Sequence, residues 1–290
     1  MKSTLLIFLF CFVLFVSMRP EPNKLKRERF VSVADLIKEG KVQAKFFGVG
    51  IFQGNCILMK VKNNTTDTVW LLLEPGRRLL ASDSIYQDIL VAKTKRLQLL
   101  PWAETTTQVY GFCCQAHDHT PIKDLSFSVG YMAPPSLIKL AQVIDQHDFP
   151  ITAAQASVWI LSDHLLPASL YNEDPNEIRL LKQTLGEILG IKMPWYAIEY
   201  EKDNILAYSG RHLRVSGTLN YSLNQNTLVT ITVRSKSGRL AKILMNSSPA
   251  SAGTHAYDVN LIVKGWPKGQ YTIFVHQDNA NLNMQKTFEL

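Results

Sequence analysis

From Ala44 to Gly130 apolar and polar positions alternate in short runs: Lys45–Gly50, Cys56–Lys62, Thr68–Leu73, Tyr86–Ala92, Thr105–Cys114 and Leu125–Gly130. Each is rich in β-branched or aromatic residues, and the period of two puts one face of each strand inward. Asn63-Asn64 and Glu74-Pro75-Gly76 stand between runs. These residues tolerate positive φ or pre-set φ at the proline value, so the chain can reverse there. The pattern predicts an immunoglobulin-like β-sandwich over residues 43–132.

Near Pro134 the period changes. Leu137, Leu140, Ala141, Val143 and Ile144 recur at three- and four-residue spacing behind Pro134-Pro135-Ser136, a helix start. Ala153–Leu161 and Glu177–Leu189 predict two further helices, the second with Asn176 as N-cap and Gly190 as its stop. A helical unit over 133–200 follows. Strict alternation then returns in Leu228–Arg234, with Val229, Ile231 and Val233 on one face, and continues through Arg239–Met245, His255–Val263, Gln270–His276 and Met284–Phe288. Residues 211–290 therefore read as a second sandwich. The expected fold class is mainly β with a helical middle: two immunoglobulin-like β-sandwiches flanking a small α-helical unit.

Composition adds that the chain can fold unaided. At 290 residues, 46% hydrophobic and 19% charged, it has enough apolar surface for a core, which excludes a disordered chain. The net charge of +7 raises nucleic acid as a partner, but part of it sits in Lys24, Lys26, Arg27 and Arg29, and no nucleic-acid module follows. Lys2 followed by the apolar run Leu5–Val16 matches a signal-peptide core and is shorter than the ~20 residues of a membrane-spanning helix. Residues 1–18 are thus read as a signal peptide, and the protein as exported: periplasmic, on the cell surface or secreted. Val16-Ser17-Met18 lacks the Ala-x-Ala pattern, so an uncleaved segment giving membrane association is the alternative.

The last ~75 residues carry Tyr221-Ser-Leu223, Val229 to Arg239 with its Ser-Lys-Ser-Gly-Arg turn, Ala252-Gly253-Thr-His255 and Lys268-Gly269-Gln-Tyr271. In this order they resemble the immunoglobulin-like C-terminal modules of secreted bacterial proteins, related to hook-cap and type IX secretion sorting domains. The match departs at the opening Pro-Asn-Pro, which is missing, and at Tyr257-Asp258, where the family has Trp-Asp. The resemblance implies surface delivery through the C-terminal tail. The first two-thirds resembles an uncharacterised group of secreted bacterial proteins with a Cys-containing strand and a Trp-Ile-Leu-Ser-Asp helix, which implies no activity.

Candidate chemistry is sparse. Cys113-Cys114-Gln-Ala-His117-Asp-His119 holds four good zinc or copper donors. On a strand the two cysteines point to opposite faces, so one can join the histidines and the other can meet Cys56 in a disulfide, as an oxidising compartment favours. Which one pairs is left open; Cys56–Cys114 is the first assignment, and Cys113, His117 and His119 then form the metal alternative. Ser162-Asp163-His164, adjacent in sequence, does not make a triad, whose members converge from separate elements. Ser162 and Asp163 are expected to end a helix and Trp159 to fill the core. Glu173, Asp174, Glu187, Glu199 and Glu201 lack a partner signal, and Gly48-Val-Gly50 leads into a strand rather than a phosphate-binding helix. Asn63, Asn64, Asn220 and Asn246 head Asn-x-Ser/Thr triplets, read here as turn chemistry. The expectation is an exported, non-enzymatic binding or structural protein of the cell envelope without a cofactor. Its partner would be an envelope or extracellular protein or a polysaccharide, not nucleic acid; a metal-binding protein is the alternative.

Overall fold

Alternation along the first ninety described residues resolves into strands that pair all the way round. The computed structural model describes residues 29–201, 203, 206–278 and 281–290. The signal peptide expected at 1–18 and the basic residues Lys24, Lys26 and Arg27 lie outside them. The first unit contains β1 (Val31–Ser32), α1 (Val33–Lys38), β2 (Val42–Val49), β3 (Gln53–Asn63), β4 (Val69–Leu73), β5 (Arg77–Ala81), β6 (Ile89–Val91), β7 (Lys95–Leu99), β8 (Glu104–Cys113) and β9 (Lys123–Met132). The middle holds α2 (Pro135–Gln146), α3 (Ile151–Ser162), a short 3-10 turn at Pro167–Ser169, and α4 (Arg179–Leu189). The last unit has β10 (Tyr196–Tyr200), β11 (His212–Leu223), β12 (Thr227–Ser235), β13 (Leu240–Ala250), β14 (Gly253–Ile262), β15 (Gln270–Gln277) and β16 (Asn281–Glu289). Mainly β with a helical middle is what the structure shows. Among the described residues no helix is long and apolar enough to cross a membrane.

The first unit departs from the expected open sandwich. Six strands close into a barrel in the order β2-β3-β8-β6-β5-β9, every neighbouring pair antiparallel, and a three-stranded sheet β1-β4-β7 packs beside it. Alternation is the same in an open sheet and a closed one; closure comes from β9 pairing with both β2 and β5, a long-range match with no local signal. One core serves barrel and sheet: Phe46, Ile57, Met59, Leu79 and Val109 meet Val69, Leu71 and Leu73. Gly111 shows why a side chain is excluded at one crossing, since an added Cβ would stand 2.5 Å from Ile89 and 2.7 Å from the Leu90 carbonyl.

The loops at the ends of the barrel are organised by polar groups. Asn63 is fully buried, and its Nδ2 donates to the carbonyls of Asp67 (2.8 Å), Leu99 (3.1 Å) and Leu100 (2.9 Å) while Oδ1 accepts from Thr65 N (2.9 Å). The turn-chemistry reading of Asn63 therefore holds. Opposite it, Ala103 N–H donates to Leu100 C=O across Pro101 and Trp102, and Trp102 has φ of 59°. Pro in the second place and a left-handed residue in the third is type II geometry, where Gly or Asn is normal and a bulky side chain costs about 1–2 kcal/mol.

In the middle, α2 buries Leu137, Leu140, Ala141 and Ile144 as the spacing demands, and Pro135 opens it. The second helix is buried nearly all round, because it lies between the barrel and the other helices. The stop at Gly190 is as expected, with φ 66° and ψ 30°. The start of α4 is not: the helix begins at Arg179, no side chain caps it, and Asn176 contributes its carbonyl to Arg179 N–H instead. Strand β10 falls within the stretch read as helical but pairs antiparallel with β11. In the last unit the sheets β10-β11-β14 and β13-β12-β15-β16 bury one core between them, including Val215, Leu219, Val229, Ile231, Val233, Ile273 and Phe288.

The cysteine expectation is corrected. Cys56, Cys113 and Cys114 are three free, buried thiols. Cys56 and Cys113 face the barrel core, whereas Cys114 faces the helices with Phe112, Leu140 and Val158. The alternation of β8 thus sends the expected partners Cys56 and Cys114 into different cores, and a Cys56–Cys114 disulfide is not formed.

Candidate functional site

Of the residues singled out in the sequence, Cys113, Trp159, Ser162 and Asp163 meet where the barrel packs on α3, while Glu187 and Glu201 lie elsewhere, paired with Lys139 and Lys264. Gln155 on α3 is buried and clamps the backbone of Cys113, donating to its carbonyl (2.8 Å) and accepting from its N–H (3.1 Å). Asp163 accepts Ala116 N–H (2.9 Å) on Oδ1 and the Ser162 hydroxyl (2.6 Å) on Oδ2; Ser162 Oγ also lies 3.0 Å from Val158 O. Asp163 therefore ties the helix end to the barrel rim, and both its oxygens are engaged. Trp159 lies between Phe52 and Tyr208 with ring centroids 6.2 and 6.1 Å away, filling the core as expected. His164 carries the left-handed backbone that follows the helix, at φ 54°.

The donor cluster does not converge on a point. Cys113 faces the barrel core, His117 meets the edge of Tyr208 at 5.6 Å, and His119 packs on Tyr86 at 6.2 Å in a different loop pair. Among the described residues no group of three or more His, Cys, Asp or Glu is placed to hold a metal ion. Burial, the dominant cause, pushes the Cys56 and Cys114 thiols up to about 12 and Cys113 well above the ordinary value. Thiols so placed are neutral at pH 7 and are poor ligands and nucleophiles.

A different place has the makings of a binding site. At one end of the last unit a groove of about 640 Å³ runs between the turn Ser235–Arg239 and the loop Trp266–Gly269. The β12–β13 hairpin closes with Gly238 N–H to Ser235 C=O (2.8 Å), and Gly238, at φ 83°, makes that turn affordable. Lys236 N–H donates to Gln270 C=O (3.0 Å), locking the turn to β15. On the other wall Trp266 and Tyr271 rings lie 5.0 Å apart, and Tyr271 donates its hydroxyl to Pro267 C=O (2.9 Å), holding the loop down. The lining contains Lys236, Arg239 and Lys268 and no carboxylate, and none of the three cations makes an ion pair among the described residues. Lys264 nearby is different: Glu201 holds it at 3.0 Å. A half-exposed indole beside unpaired cations can stack on a ring and hold negative charge at once.

A second hollow of similar volume lies between Tyr171–Ile178 and the β10-β11-β14 sheet, and its lining mixes both signs of charge, Lys182 and Arg214 with Glu173 and Asp258. Arg214 Nε stands 3.3 Å from Glu199, and Asp258 accepts the Thr218 hydroxyl at 2.8 Å. The groove is the site that sequence reasoning missed. Its signal was present in Ser235-Lys-Ser-Gly-Arg239 and Trp266-Pro-Lys268, two basic turns 30 residues apart, but only the sheet pairing brings them together. No family model matches the chain, and a search of curated proteins finds no match.

Proposed function

We propose that this chain is an exported, non-enzymatic binding protein of the cell envelope whose last unit, an immunoglobulin-like module, holds an anionic polysaccharide in the groove between Lys236, Arg239, Lys268 and Trp266. The observation that carries the reading is the pairing of an accessible indole with three cations that make no ion pair among the described residues. Sugar rings present an apolar face to an aromatic side chain, and carboxylate or sulfate groups supply the charge. Cations left without partners cost little at the surface and remain available to a ligand. The groove is open rather than enclosed by a lid, which suits a segment of a long polymer. Seven strands in two layers and the C-terminal resemblance support the immunoglobulin-like assignment. The apolar run Leu5–Val16 supports export.

Microarray binding of the purified chain tests this. An acidic oligosaccharide should be retained, its neutral counterpart of equal length should not, and Lys236→Glu with Lys268→Glu should abolish retention. Equal retention of neutral and acidic sugars, or retention unaffected by the two reversals, removes the proposal.

A further inference from the structure

We infer that a different part of the molecule, the Leu100-Pro101-Trp102 turn between β7 and β8, is a lipid-facing tip that sits in the headgroup region of a membrane surface. Leu100 and Trp102 are each 59% exposed, and Trp102 is the exposed tryptophan among the described residues. Each therefore leaves most of its surface in solvent and adds little to the core. It also holds Trp102 in the left-handed region at φ 59°, in a turn position that Gly or Asn fills without steric cost. A residue that is both unburied and conformationally unfavourable is not explained by folding. The tip is nonetheless fixed: Asn63, fully buried, holds the Leu99 and Leu100 carbonyls, and Trp102 N–H donates to Thr65 C=O at 3.3 Å. A rigidly presented Leu–Trp pair is suited to the interface, where tryptophan partitions best.

The occupant is argued from where the chain comes in. Strand β1 runs parallel to β4, with Val31 opposite Leu71, and β4 pairs antiparallel with β7, with Val69 opposite Leu99. The chain therefore reaches β1 from the side of Val69 and Leu99, the residue before the tip. The sequence preceding Phe30 carries Lys24, Lys26, Arg27 and Arg29, and before them the apolar run Leu5–Val16. Basic residues in the sequence at and just ahead of Arg29, the first described residue, taken with an apolar tip on the side where the chain enters, complement a surface of anionic lipid. This inference does not depend on the groove of the last unit, so either can fail alone.

The test uses the full-length chain reconstituted into vesicles of phosphatidylcholine and phosphatidylglycerol whose acyl chains are brominated near the headgroup. The emission of wild type minus that of Trp102→Gly isolates Trp102 from Trp70, Trp159, Trp195 and Trp266. We expect this difference emission to shift to shorter wavelength on vesicles and to be quenched at least twofold by the bromines. Trp102→Gly should melt no lower than wild type, since it relieves the turn; Trp102→Asn serves if the glycine variant folds poorly. A difference emission that stays at the water-exposed wavelength and escapes quenching overturns the inference, whether the ring then faces solvent, another protein or the N-terminal segment of this chain.

Discussion

Asp88 is the residue whose loss should damage the barrel most for its size. Its carboxylate accepts Arg78 Nη2 at 2.9 Å, Ala81 N–H at 2.9 Å and Gln115 Nε2 at 3.0 Å, while Gln115 Oε1 returns a bond to Asp88 N–H at 2.8 Å. The network joins β5, the loop residue just before β6 and the segment after β8, so it ties together one end of the barrel. Arg78 is 7% exposed. Asp88→Ala leaves that guanidinium buried without its counter-charge, at a cost of about 3–5 kcal/mol. Unmaking the bonds to Ala81 and Gln115 adds roughly 1 kcal/mol each. A sum of about 5–7 kcal/mol is a large part of the 5–15 kcal/mol typical of a folded domain. Urea unfolding followed by near-ultraviolet circular dichroism should show the barrel transition at markedly lower denaturant, with the transition of the last unit unmoved. Arg78→Met with Asp88→Ala should recover at least 2 kcal/mol of the loss, because the buried charge is gone. A single-variant loss under 1 kcal/mol, or a double variant no better than Asp88→Ala, would refute this account of the network.

Three further outcomes are expected. The thiols of Cys56, Cys113 and Cys114, raised by burial, should resist a thiol-specific reagent in the native chain and all react in denaturant; labelling of any of them within the dead time of mixing under native conditions contradicts their placement. Trp159 is buried with no hydrogen-bond partner for its Nε1, so Trp159→Phe should cost no more than about 1.5 kcal/mol and Trp159→Ala about 3–5 kcal/mol; equal costs for both would show that the indole nitrogen matters. Burial first, and Lys268 second, lower the His212 pKa below the ordinary 6.5. The unfolded chain therefore binds the proton more readily, so His212 adds stability above pH 6.5 that is lost as the pH falls through its folded value. His212→Gln should flatten that part of the stability–pH curve, and a curve of unchanged slope would contradict the assignment.

What the sequence made legible follows from how local each signal is. The strands Cys56–Lys62 and Leu228–Arg234 and the helix at Leu137–Ile144 are written in nearest-neighbour periodicity, and they are where the pattern puts them. The Gly190 stop and the Trp159 packing were equally readable, because a left-handed cap and a large apolar ring each leave few alternatives. Closure of the first unit was not, since β9 meets β2 across some eighty residues of chain and both arrangements share one alternation. Residue Cys114 was misassigned for a related reason: oxidising surroundings argue that a bridge is allowed, but only the neighbours of β8 decide which face meets which core. The groove stayed hidden because Lys236 and Trp266 have no meaning singly. Each is an ordinary surface residue until Lys236 N–H is tied to Gln270.

Isothermal titration of the chain with an acidic oligosaccharide, paired with observation of the His212 imidazole by NMR, tests the central claim most directly. Ligand carboxylates beside Lys268 should offset its charge, so binding is expected to raise the His212 pKa, and Lys268→Glu with Trp266→Ala should remove both heat and shift. Heat of binding with an unmoved His212, or no binding at all at low salt, would contradict a polyanion site in this groove.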